Sequence, residues 1–112
     1  LIKDMPQELD YVIIEADGAK HHSLKYPAAD EPVIYPGTTD VIIVLGTWEK
    51  GRSCKDVVFR YDLMQKELGT AEDAVVDDSV IDTLRQVYVR KLRDSGFERR
   101  VSCVFADERG WF

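Results

Sequence analysis

The sequence predicts an open, mostly parallel α/β sheet with crossover helices, and three observations predict it. Two short apolar runs, Tyr11–Glu15 and Val41–Leu45, are rich in strand formers and stop close to a glycine, Gly18 and Gly46. Both runs are apolar continuously rather than alternately, the pattern of strands covered on both faces. Between the second run and a third, Val101–Ala106, lie stretches with apolar residues at helical spacing. Helices between buried strands are crossovers. At 112 residues the chain is one α/β domain or a fragment of one.

Each element has its own signal. Ala19–Asp40 holds Pro27, Pro32, Pro36 and Gly37, which fix the backbone and remove donors, so an ordered loop with one short helical turn is expected. It is long for a passive connection, and long loops in compact domains are often functional. A first helix is expected over Asp56–Leu68, with Val57, Tyr61, Met64 and Leu68 on one side and Gly69 as its stop. Gly69–Asp78 reads as a connector. A stronger helix follows, with a stripe of Val80, Leu84, Val87, Tyr88 and Leu92. Ser79 is placed to cap it, with Asp82 three residues later. Asp77, Asp78 and Asp82 suit its positive end, and Arg90, Lys91 and Arg93 its negative end. Gly96 ends it. Tyr88 is expected in the core with its hydroxyl at the rim.

The charge balance narrows the function. Fifteen basic against 21 acidic residues give a net charge of -6, which disfavours a broad nucleic-acid backbone surface. No apolar run approaches membrane-spanning length and no secretion signal is present, so a cytoplasmic protein is expected. Cys54 and Cys103 are far apart and read as reduced thiols, Cys54 in a loop and Cys103 in the core. His21 and His22 are adjacent in a polar loop, and no third ligand completes a metal set with them. Gly46 either lets a ligand approach or breaks its strand.

The sharpest local feature is Glu15-Ala16-Asp17-Gly18-Ala19-Lys20. Glu15 falls at the carboxyl end of a buried strand, the edge where open α/β sheets bind ligands. Glu15 and Asp17 are candidates to hold Mg²⁺ directly or through water and to orient a reacting water. Gly18 permits close backbone approach, and Lys20 can counter phosphate charge. The plain alternative is a strand that ends in polar residues because it reaches solvent. Neither a G-x-x-x-x-G-K-[ST] loop nor a G-x-G-x-x-G signature occurs.

The stretch Val12-Ile-Ile-Glu-Ala-Asp-Gly-Ala-Lys20, followed by Leu24-Lys25, Pro27, Glu31-Pro32-Val33-Ile34 and Pro36, resembles the YqeC family. That family is described as accessory to selenium-dependent molybdenum hydroxylases. The likeness continues more weakly through Val41–Gly46. Phe59-Arg60-Tyr61-Asp62 stands in the place of a family His-Arg-Pro-Glu stretch, so Arg60 and the acidic character persist while the histidine is lost at Phe59. The resemblance implies a P-loop-like nucleotide-binding domain whose phosphate loop would precede Leu1. It also implies that Glu15 and Asp17 form the acidic strand-end motif and Lys20 its basic position. Glu31 falls in the family loop segment, and Arg60 stands just before the first helix. Lys25 is a further candidate to meet an anion.

The expected function is a nucleotide-binding accessory protein. Glu15 and Asp17 are the catalytic and Mg²⁺ candidates, and Gly18, Lys20, Lys25, Glu31 and Arg60 contact ATP or GTP. NTP hydrolysis is expected only with the upstream loop, in maturation of a selenium-dependent molybdenum hydroxylase, with that enzyme or its maturation proteins as partner. The alternatives are a noncatalytic protein-interaction domain and a small-molecule transferase covered by the Ala19–Asp40 loop.

Overall fold

The computed structural model describes residues 22–97, 100–107 and 110–111. The strand expected at Tyr11–Glu15 lies outside them. Among the described residues there are five strands, β1 (Leu24–Lys25), β2 (Val41–Gly46), β3 (Val58–Phe59), β4 (Val101–Asp107) and β5 (Gly110–Trp111). Three helices accompany them, α1 (Cys54–Val57), α2 (Tyr61–Leu68) and α3 (Asp78–Asp94). β1 pairs with β3 in parallel, and a second sheet has the order β2-β4-β5, with β2 and β4 parallel and β5 antiparallel at its edge. This is a small α/β fold, and its main parallel pairing joins the second and third of the apolar runs that the sequence marks as strands. No helix among the described residues is long and apolar enough to cross a membrane.

β2 is not covered on both faces. Ile43 and Leu45 turn into the core, while Ile42 and Val44 keep 55% and 46% of their surface exposed. α3 lies against one side of the sheet, where Ile81, Leu84, Tyr88 and Leu92 join Ile43 and Leu45 in a single apolar cluster. A continuous apolar run states what both faces can tolerate; it does not supply a second covering layer.

The helix expected over Asp56–Leu68 is broken in the middle. Val58 and Phe59 leave helical geometry to pair with Leu24 and Lys25, and Arg60 takes a left-handed conformation (φ 66°) before α2 starts. Val57, Val58 and Phe59 are β-branched or aromatic, so the ladder competes well with a helix there. Val57, Tyr61 and Met64 are buried as the spacing requires, but Leu68 is exposed. Arg60 consequently precedes the second helix rather than the first.

α3 is capped by Asp77, not Ser79. The Asp77 carboxylate accepts from the Val80 amide at 2.8 Å, and the Ser79 carbonyl instead accepts from Thr83. Asp82 engages Arg85 and Gln86, which hold its carboxyl below the usual range. The Gly69–Asp78 connector is tied down. Val76 and Gly51 donate to Arg52 and Val76 carbonyls, Cys54 donates to Ala74, and the Tyr61 hydroxyl donates to Ala71. Cys54 begins α1, wholly buried, rather than sitting in a loop; burial and then the nearby Asp77 charge push its thiol up. A thiol in that state is a poor nucleophile. Cys103 is half-buried, and both cysteines are free.

Candidate functional site

The site is built where the β1–β3 pair meets the proline-bearing loop. β1 delivers Lys25, β3 delivers Phe59, and the left-handed turn at Arg60 swings its guanidinium back over the loop. Glu31 closes the arrangement. One of its oxygens accepts from Lys25 Nζ at 2.8 Å, and the other accepts from the Ala28 amide at 3.0 Å and lies 3.5 Å from Arg60 Nε. Lys25, Glu31 and Arg60, three candidates drawn from separate segments, are therefore one cluster.

Their roles differ once the geometry is known. Lys25 is 6% exposed and locked to Glu31, so it braces the loop. Arg60 retains 38% side-chain exposure, and its buried Nε has no hydrogen bond among the described residues although the Glu31 carboxylate is near. The pair is thus electrostatic without being hydrogen-bonded. Lys25 and Arg60 both face the Glu31 carboxylate. Burial alone would raise the Glu31 pKa. The Lys25 hydrogen bond, the Ala28 amide and the charges of Lys25 and Arg60 together outweigh it and hold the carboxyl below its ordinary value.

Aromatic contacts complete the cluster. The Phe59 ring lies under both cations, 5.6 Å from Lys25 Nζ and 4.9 Å from the Arg60 guanidinium carbon, within cation–π range. His22 stacks on the same ring with an interplanar angle of 7° and a centroid separation of 5.9 Å. The loop beneath is held from two further sides. Tyr26 donates to Glu67 of α2 at 2.7 Å, and Lys91 of α3 donates to the Ala28 and Ala29 carbonyls at 2.8 and 3.3 Å.

A cavity of about 410 Å³ opens beside this cluster. His22, Phe59, Arg60, Asp56, Asp62 and Glu72 are among the residues that line it. Lys55 on its wall faces Glu72 at 3.9 Å.

Residues 1–62 match the family model described as YqeC protein, which is more than half of the chain and spans every candidate residue of the cluster. The chain belongs to the YqeC family. No curated protein and no solved structure matches it. The YqeC match ends at Asp62, inside α2, so α3 and β4 lie beyond it.

Glu15, Asp17, Gly18 and Lys20 lie outside the described residues. Among the described residues no three His, Cys, Asp or Glu side chains are grouped to hold a metal ion. His22, read from sequence as lying in a polar loop, is half-buried against Phe59. Phe59, read as a lost histidine, is the floor under both cations. The alternation of an aromatic residue with charged neighbours was the available signal, and it was masked by the expectation of a continuous helix. Gly46 is the last residue of β2, as its strand-ending reading expects. Its amide donates to the Ser23 carbonyl at 3.1 Å, and a Cβ there would fall 2.6 Å from the Trp48 ring and 2.8 Å from Ser23 Cβ. The glycine lets β2 end against the segment that leads into the site.

Proposed function

We propose that the chain is a nucleotide-binding accessory protein, part of a P-loop-like domain, that serves maturation of a selenium-dependent molybdenum hydroxylase in the cytoplasm. The observation that carries this reading is the Lys25–Glu31–Arg60 cluster, in which Arg60 keeps 38% side-chain exposure while its Nε lies 3.5 Å from Glu31. An accessible guanidinium donates well to a phosphate oxygen, a strong charge-assisted acceptor. Lys25 and Glu31 hold Arg60 in place, and Arg60 takes the anion. In this reading Glu15 and Asp17 would hold Mg²⁺, which supplies charge neutralisation of the phosphates, while Gly18 and Lys20 approach them. NTP hydrolysis would need a phosphate-binding loop. The partner would be the hydroxylase or its maturation proteins.

The test is an NMR titration of the chain with Mg-ATP and Mg-GTP, reading the signals of Lys25, Glu31 and Arg60. The expected result is saturable shifts at these three residues, with affinity about tenfold weaker in Arg60→Ala, the value of one charge-assisted hydrogen bond. Absence of any response up to millimolar nucleotide overturns the reading.

A second reading has one observation in its favour. Ile42 and Val44 leave an apolar strip exposed on one face of β2, as a noncatalytic protein-interaction domain would. A partner that binds through this strip and is unaffected by Arg60→Ala would favour it.

A further inference from the structure

The carboxylate that faces Lys25 and Arg60 belongs to a turn, and the turn is bonded to a helix far along the chain. Ala28 and Glu31 bond each other twice. The Glu31 amide donates to the Ala28 carbonyl at 3.0 Å, and the Ala28 amide donates to the Glu31 carboxylate at 3.0 Å. From that position the carboxylate meets Lys25 at 2.8 Å and Arg60 at 3.5 Å. The same Ala28 carbonyl accepts a second bond, from Lys91 Nζ at 2.8 Å, and the Ala29 carbonyl accepts from that nitrogen at 3.3 Å. A carbonyl oxygen has two lone pairs, so neither donor displaces the other.

Lys91 stands in the last turn of α3, beyond residues 1–62, which match the family model. A lysine there ordinarily offsets the negative helix end from solvent, and Arg93 in the same turn is exposed in that way. Lys91 is half-buried instead, and its ammonium reaches off the helix to two carbonyls of the turn. A charged donor makes the stronger kind of hydrogen bond. Resting on the anion role given to Arg60 above, we propose that Lys91 is a positioning residue for the Glu31–Arg60 pair. It fixes the Ala28–Glu31 turn from α3, the turn fixes the Glu31 carboxylate, and the carboxylate sets where the Arg60 guanidinium stands. Lys91 acts through the turn, and α3 becomes part of the frame of the anion site.

The experiment compares wild type, Lys91→Met, Lys91→Arg and Asp77→Ala by NMR. Methionine keeps the apolar stem and loses the donor, and arginine keeps a charged donor. Asp77→Ala weakens the opposite end of α3 and controls for mere loss of helix stability. Without ligand, Lys91→Met is expected to speed amide exchange at Ala28 and Glu31 about fivefold relative to Leu84 in the core, the effect of one lost hydrogen bond. The Arg60 Nε–H signal is expected to move with it. Lys91→Arg should restore both, and Asp77→Ala should leave both at their wild-type values. Affinity for inorganic tripolyphosphate is expected to fall about threefold in Lys91→Met, less than on direct loss of Arg60, and to return in Lys91→Arg. Unchanged exchange and an unmoved Arg60 signal in Lys91→Met overturn the proposal. So does a change that Asp77→Ala reproduces, or an affinity that Lys91→Met leaves intact. A wild-type chain silent toward tripolyphosphate overturns the anion role of Arg60 instead, and the ligand-free signals then decide the coupling by themselves.

Discussion

Glu31 Oε2 lies 2.8 Å from Lys25 Nζ, and the lysine behind it is almost wholly enclosed. Removing the carboxylate takes from the enclosed ammonium the acceptor at 2.8 Å, and breaking such a pair costs more than the pair contributes. Glu31→Gln is expected to lose about 2 kcal/mol in urea denaturation, less than a fully buried pair because Glu31 keeps some contact with water. The folded carboxyl titrates below its ordinary 4.5. A depressed carboxylate contributes stability above the unfolded value, and that stability is lost as pH falls through the folded one. Wild-type stability should therefore fall as pH drops below about 4.5, and Glu31→Gln should flatten that part of the curve. An unchanged acid limb would mean that other carboxylates carry it.

Tyr26 gives the opposite limb. Burial first, then its hydrogen bond to Glu67 and that residue's charge, push the phenol from 10.0 up to about 12. A raised value contributes stability that is complete below pH 10 and is lost as pH rises through about 12. Thermal melts across this alkaline range should show the loss in wild type and a shallower one in Tyr26→Phe. Parallel curves would show that the hydroxyl is not what titrates.

Arg60 occupies a conformation that a residue with a side chain adopts at a cost of roughly 1 kcal/mol. Arg60→Ala loses the ion pair and keeps the backbone cost, whereas Arg60→Gly loses the ion pair and relieves it. The glycine variant should be at least as stable as the alanine variant, by up to about 1 kcal/mol after allowance for the greater freedom of glycine when unfolded. Both should lose the anion response equally. A glycine variant clearly less stable than alanine would place the cost of this turn elsewhere.

Gly46 makes a sharper demand on space. The Cβ of Gly46→Ala would meet the Trp48 ring and Ser23 Cβ below 3.0 Å. The Trp48 ring is partly exposed and can move, but Ser23 is buried. A loss of about 1–3 kcal/mol is expected, the usual effect of overpacking. If the substitution is neutral by denaturant titration, the 23–46 approach is looser than its geometry indicates.

Two of the strands and the long helix were legible because their signals are local. Val41–Gly46 and Val101–Asp107 contain the apolar runs, and of the expected stripe Val80, Leu84, Val87, Tyr88 and Leu92, the residues Leu84, Tyr88 and Leu92 are buried, with Ile81 joining them. What was hidden depends on partners distant in sequence. Nothing near Val58 and Phe59 announces that Leu24 and Lys25 will draw them out of a helix. The same pairing decides the site, since it turns Phe59 beneath Lys25 and leaves Arg60 at the bend. Lys25, Glu31 and Arg60 could be named from the family resemblance, but not their division of labour. Burial, which only the packed fold assigns, makes Lys25 a brace and leaves Arg60 accessible.

The α3 cap offers a direct measure of how a local signal can mislead. Ser79 has the residue type of a cap and an acidic residue three positions on, yet the helix begins one residue before it and Asp77 accepts from Val80. A connector anchored by Val76 fixes where the chain turns, and the side chain just beyond it meets the free amides. Asp77→Ala should cost about 1 kcal/mol, since it removes both the acceptor and a negative charge at the positive helix end. Ser79→Ala should change stability by a few tenths of a kcal/mol at most, because an exposed serine in the first turn is readily replaced by a good helix former. Paired urea denaturation curves decide between them. A larger loss from Ser79→Ala than from Asp77→Ala would move the cap two residues along the chain and restore the expectation drawn from sequence.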